Sequence, residues 1–156
     1  MKKNYVLIDY ENVQPETMAA LERKHFSVLV FVGANQAKVT YEVASVLQRM
    51  GDRAEYVKIA GNGGNALDFH IAYYIGQLAA KEPDSYFHIV SKDTGFDPLL
   101  QHLKSKNVSA SRVKSISDLP LVKVEASKSA SERVSAVIAN LAKSGPAKPR
   151  TLKTLA

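Results

Sequence analysis

The sequence predicts a three-layer α/β sandwich, a mostly parallel central sheet covered by helices, with a C-terminal helical extension. Two observations point to it. Short apolar runs alternate with helical patterns through residues 1–120, the rhythm of successive βα units. The stretches between the runs repeat apolar residues at spacings of three and four, as helices packed on a sheet do.

Taken in order, Tyr5-Val6-Leu7-Ile8 reads as a buried first strand, and Pro15 to about Lys24 as a helix with proline at its favoured first position. Val28-Leu29-Val30-Phe31-Val32 is a second strand ending at Gly33. A helix is expected from Gln36 to about Met50, with Val39, Val43, Val46, Leu47 and Met50 as its apolar stripe and Gly51 as its stop. Glu55 to Ile59 is a shorter third strand. The glycine-rich connector Gly61-Asn62-Gly63-Gly64-Asn65 then leads into a strongly apolar helix from Ala66 to about Lys81. Phe87-His88-Ile89-Val90 is a fourth strand, Pro98 to about Ser105 a helix, and Ala110 to Val113 a weak fifth strand.

After Pro120 the composition shifts toward Ala, Ser and Lys. Residues 1–120 are therefore read as the α/β domain and 121–156 as a basic helical extension, with one amphipathic segment from Ala130 to about Lys143. Residues 149–156 read as a helix that has just begun, so the expectation is the start of a C-terminal module continuing past residue 156.

Composition narrows the function classes. Hydrophobic residues make up 46% and charged residues 23%, which is the balance of a chain that folds around a core. The absence of cysteine excludes disulfides, thiolate zinc sites and thiol nucleophiles. No apolar run reaches the roughly 18 to 20 residues of a membrane span, and the opening strand-like run is too short for a signal-peptide core. The expectation is a cytoplasmic protein without a membrane partner. The net charge of +6 lies in the tail: residues 1–120 hold 14 Lys/Arg against 13 Asp/Glu, residues 121–156 hold 7 against 2. Such a tail suits a polyanionic partner, and equally a solubilising role.

Acids stand where an α/β sheet places its chemistry, just beyond the carboxyl ends of strands. Asp9 follows the first strand, Asp93 follows the fourth, and Asp68 opens the helix after the glycine-rich connector. If the first and fourth strands are neighbours, these carboxylates converge on one rim. Two unit charges about 5 Å apart repel by roughly 3 kcal/mol at an effective dielectric near 20, so the cluster calls for a hard divalent cation such as Mg²⁺ or Mn²⁺. Water activated by such a cation would then hydrolyse a phosphodiester without a Ser, His or Cys nucleophile.

Each acid also has a simpler reading. Asp97 before Pro98 fits a helix N-cap, and Asp68, three residues after Asn65, fits a capping box. Asp9 and Asp93 fit turn-forming residues less well, because an acid after a buried strand is poorly solvated. Glu11 is a candidate fifth ligand, but reads rather as pointing to solvent or to a basic neighbour. Asn12 and Asn35 lie in loops beyond strands and suit hydrogen bonds to a carboxylate or a phosphate; Lys92 and Thr94, flanking Asp93, complete the expected substrate-binding set. His70 and His88 read as packing residues, His25 and His102 as surface residues, which leaves zinc without support. The stretch from Gly61 to Asn65 matches no phosphate-binding fingerprint and reads as a loop at the rim.

Three motifs together resemble the PIN-like nucleases, in particular their NYN branch. They are Leu7-Ile8-Asp9-Tyr10-Glu11-Asn12 for the opening D-x-E-N motif, Ala66-Leu67-Asp68 for the mid-chain acid, and Ser91-Lys92-Asp93-Thr94-Gly95-Phe96-Asp97-Pro98-Leu99 for S-G-D-S-D-F-x-P-L. The resemblance covers roughly residues 4–118. It implies a metal-dependent endoribonuclease with Asp9, Asp68 and Asp93 as Mg²⁺ or Mn²⁺ ligands, RNA or another single-stranded nucleic acid as partner, and room for a homodimer. Two positions depart from the pattern: Lys92 replaces a Gly, and Gly95 stands where the family usually has another Asp. Asp97, two residues later, is then the expected substitute as a fourth ligand.

Overall fold

The computed structural model describes residues 2–23 and 25–124. Five strands, β1 (Asn4–Asp9), β2 (Phe26–Val32), β3 (Ala54–Lys58), β4 (Tyr86–Val90) and β5 (Ser109–Val113), form one sheet in the order β3-β2-β1-β4-β5. All four pairings are parallel. Three helices, α1 (Tyr41–Met50), α2 (Ala66–Lys81) and α3 (Asp97–Ser105), join them, with short 3₁₀ turns in the connections. The chain divides into two units, Met1–Leu119 and Pro120–Ala156, and the sheet belongs to the first. The expected segments at 130–143 and 149–156 lie outside the described residues. Among the described residues no helix is long and apolar enough to cross a membrane.

The strand order places β1 at the centre, with β2 on one side and β4 on the other. The chain winds outward from β1 to β3, then crosses back to the far side of β1. That reversal makes the carboxyl ends of β1 and β4 the crevice of the sheet, where ligands of α/β folds settle.

Side chains alternate across a strand, so Tyr5, Leu7 and Asp9 share one face. On that face Tyr5, Leu7, Leu29, Phe31, Phe87 and Ile89 pack with Ile71 and Ile75 of α2 and Leu103 of α3 in one buried cluster. Tyr5 and Phe87 stack at 5.4 Å between ring centroids. Val6, Ile8, Val28 and Val30, on the alternate positions, are equally buried, as are Val43, Val46, Leu47 and Met50 of α1. The register therefore puts Asp9 on the face that α2 covers, the helix that carries Asp68.

The sequence reading needs correction in three places. The helix expected from Pro15 to about Lys24 is absent: only a 3₁₀ turn forms, at Ala19–Glu22. Met18 and Leu21 are buried three residues apart, the period of a 3₁₀ turn, and Arg53 donates to the backbone carbonyls of Glu22, Arg23 and Phe26. The second helix starts at Tyr41, not Gln36, because the Gln36 side chain bonds the Gly33 amide and the Tyr10 carbonyl and holds its segment as a strap. Thr40 caps the helix instead, its Oγ1 accepting the Val43 amide at 3.3 Å. His25, read as a surface residue, is half-buried with its ring 4.4 Å from that of Phe26.

Candidate active site

The site begins where β1 ends. Asp9 is only 4% exposed, and the chain turns immediately after it, the amides of Asn12 and Val13 donating to its backbone carbonyl at 3.1 and 2.9 Å. Its carboxylate accepts the Ser91 hydroxyl at 2.9 Å and the Asn12 amide at 3.3 Å. Burial pushes the Asp9 carboxyl above its ordinary range; the Ser91 and Asn12 donors pull it back, and the charges of Glu11 and Asp93 push it up again.

Ser91, fully buried at the end of β4, joins two of the acids. While its hydroxyl donates to Asp9, its oxygen accepts the Asp93 amide at 3.1 Å. Asp93 in turn caps the 3₁₀ turn Thr94–Phe96, its Oδ1 accepting the Gly95 amide at 2.8 Å. A Cβ at residue 95 would come within 2.9 Å of that oxygen, so an aspartate there would have to displace the Asp93 side chain.

Asp68 reaches the same rim from α2. Burial pushes its carboxyl up to about 6, and the nearby charges of Asp93, Asp9 and Glu11 act in the same direction. The capping-box reading is not realised: Asn65 stands at the N-cap position but makes no side-chain cap bond. Glu11, expected to face solvent, is exposed but lies across Gly33, where any Cβ would collide with its carboxylate. The structure thus gathers Asp9, Asp68 and Asp93, with Glu11 beside them.

Asp97 is placed differently. It is the first residue of α3 and not its N-cap, and its carboxylate pairs with Arg112 Nε at 3.1 Å. Asn12 clamps the two loops of the site, its Oδ1 accepting the Lys92 amide at 2.7 Å. Lys92 and Thr94 are exposed around Asp93, and Asn35 is exposed in the turn after β2. His70 is not a core residue: Nδ1 bonds the Ala66 carbonyl at 2.6 Å and Nε2 accepts the Ala60 amide at 3.3 Å, which pins the ends of the glycine-rich loop. His88 packs in the sheet as expected, and burial lowers its pKa to about 4. Sequence reasoning missed Ser91 and Arg112. Ser91 was visible only as the first letter of a motif, and Arg112 carried no local signal.

The donors are all oxygens, the type that suits Mg²⁺ or Mn²⁺ and disfavours softer metals. Among the described residues, however, no three of His, Cys, Asp and Glu form a preassembled cation-binding group. Burial and then the neighbouring charges raise Asp9 and Asp68, but the acids do not close on a single point. That fits an open site, in which water and a substrate phosphate would complete the coordination that the carboxylates begin. A cavity of about 530 Å³ between α3 and β5 lies at the opposite ends of the strands, near Tyr86 and Ser109, away from these acids.

A parallel five-stranded sheet with carboxylates at its central crevice defines the class: an α/β domain with an acidic rim at the carboxyl ends of its strands. The PIN domain family model matches residues 3–113, and the chain belongs to the PIN domain family. PIN domains are generally metal-dependent nucleases that use Mg²⁺ or Mn²⁺. No curated protein and no solved structure matches the chain.

Proposed function

We propose that this protein is a metal-dependent endoribonuclease of the NYN branch, acting in the cytoplasm on single-stranded RNA. The observation that carries the proposal is the gathering of acids at the crevice of the sheet, where the Ser91 hydroxyl links Asp9 to the Asp93 amide and the charges of Asp93 and Asp9 bear on Asp68. Burial forces Asp68 up to about 6 and the charges of Asp93 and Asp9 add to it, a poor arrangement for stability and a good one for a divalent cation.

Asp9, Asp68 and Asp93 would hold the cation. When bound, it supplies charge neutralisation for a phosphodiester and a more acidic water for the attack on phosphorus. The chain's own residues do the rest. Ser91 fixes Asp9 relative to Asp93, and Asn12 fixes the Lys92 loop. Lys92 and Thr94, both exposed, would meet phosphate oxygens. Single-stranded substrate is supported by Phe69 and Tyr73, 71% and 62% exposed one turn apart on α2, beginning next to Asp68. Exposed aromatic side chains of this kind would stack on unpaired bases.

A second reading has one observation in its favour. Without a preassembled group of three ligands among the described residues, and with Gly95 in place of an acid, the chain would bind nucleic acid and cleave it weakly. One experiment separates the two. Labelled single-stranded RNA and DNA are incubated with the protein in Mn²⁺, Mg²⁺ or EDTA, alongside Asp93→Asn. Cleavage of RNA that EDTA stops and the variant lacks is the expected result. Salt-dependent binding with no cleavage under any condition supports the second reading instead.

A further inference from the structure

We infer that Arg112, anchored by Asp97, is a positioning residue for the cation site: it fixes the Ser91 junction from which Asp9 and Asp93 are both held. The inference rests on the reading of this rim as a cation-binding centre. It gives Asp97 a role other than that of a fourth ligand.

Ser91 is secured from β5 on both of its backbone polar groups. Its amide donates to the Val113 carbonyl at 2.9 Å, and its carbonyl accepts Arg112 Nη1 at 3.1 Å. Its hydroxyl then faces the acids, donating to Asp9 at 2.9 Å and accepting from the Asp93 amide at 3.1 Å. Arg112 occupies the same sheet face as Ala110, a neighbour of the buried cluster, and only 14% of its side chain is exposed. A guanidinium so poorly solvated needs acceptors to stay in place. It has two: the Ser91 carbonyl on Nη1 and the Asp97 carboxylate on Nε. Asp97, 51% exposed, contributes little stability through this pair, but it orients the fork that reaches Ser91. One continuous set of bonds therefore runs from Asp97 through Arg112 and Ser91 to Asp9 and Asp93. Displacing Arg112 frees the Ser91 carbonyl, lets the loop after β4 shift, and changes the spacing of two carboxylates that it never touches.

Mn²⁺ binding to the full chain tests this, measured by isothermal titration for the native protein, Arg112→Gln, Arg112→Lys, Asp97→Asn and the Arg112→Gln/Asp97→Asn double variant. Melting temperatures without metal are recorded in parallel. Arg112→Gln is expected to raise the Mn²⁺ Kd about 10-fold, the lower end for partners that orient metal ligands. Arg112→Lys keeps the charge but not the two-pronged geometry, so it should keep the native melting temperature and still lose affinity. Asp97→Asn should weaken binding alone and add nothing in the Arg112→Gln background, because it acts through the arginine. An additional loss in the double variant makes Asp97 a ligand in its own right and overturns the inference. So does unchanged affinity in Arg112→Lys at native melting temperature. If the native protein binds Mn²⁺ and none of the variants differs, only this inference fails; if the native protein binds none, the cation-site reading fails with it.

Discussion

Asp68 shows how strongly a single residue can report on a site. The unfolded chain releases this proton near 3.8, the folded chain near 6, so between those values the folded state holds a proton that the unfolded state lacks. Stability contributed at this position is therefore lost as pH rises through that window. Asp68→Asn removes the cost. It should stabilise the metal-free protein at pH 7 by on the order of 1 kcal/mol, once solvent screening of a partly exposed group is allowed for, and the gain should vanish toward pH 4. Urea midpoints of both proteins at the two pH values measure this, and an equal gain at both would contradict it. Asp9, Asp68 and Asp93 were legible in the sequence because each follows a strand or opens a helix. Ser91 and Arg112 were not, because their roles are set across space: Ser91 meets Asp9 from 82 residues away, and Arg112 meets Ser91 from 21. The local pattern around Asp97 suggested a cap or a ligand, and gave no hint of an arginine on the next strand.

The helix after the glycine-rich connector was legible almost to the residue, whereas the stripe expected from Gln36 became helix only from Tyr41. The helix expected from Ala66 to about Lys81 forms as Ala66–Lys81, since Leu67, Ile71 and Ile75 lie on one side of it at spacings of four. Ile71 is fully buried against the sheet, so Ile71→Ala should cost about 2 to 5 kcal/mol in urea unfolding. A cost under about 1 kcal/mol would contradict the packing. Thr40→Ala should cost about 1 kcal/mol through loss of the α1 cap. The expected helix after β1 shows the limit of such reading. Pro15 marks a good helix start, but two buried residues and an arginine that takes the carbonyls from outside turn the segment into a tight connection. A helix-start signal says nothing of a competing donor some 30 residues later.

At the scale of the molecule, the fold class followed from the alternation of strand and helix patterns, while the strand order was legible only as a condition on β1 and β4 being neighbours. They are neighbours, with Asn4 to Ile8 of β1 in parallel register with Tyr86 to Val90 of β4. Charge distribution adds a prediction at this scale: the positive excess lies in residues 121–156. Deleting them should weaken RNA binding and flatten its salt dependence while leaving the rate at saturating RNA nearly unchanged. Fluorescence anisotropy at several salt concentrations checks this, and an unaltered affinity would contradict it. The central claim, that carboxylates from β1, α2 and the loop after β4 jointly hold a divalent cation, is tested most directly by anomalous diffraction from a crystal soaked in Mn²⁺. The account predicts a peak within bonding distance of Asp9 and Asp93, on the side from which Asp68 approaches. A soaked crystal with no peak among these residues, or with one elsewhere only, would contradict it.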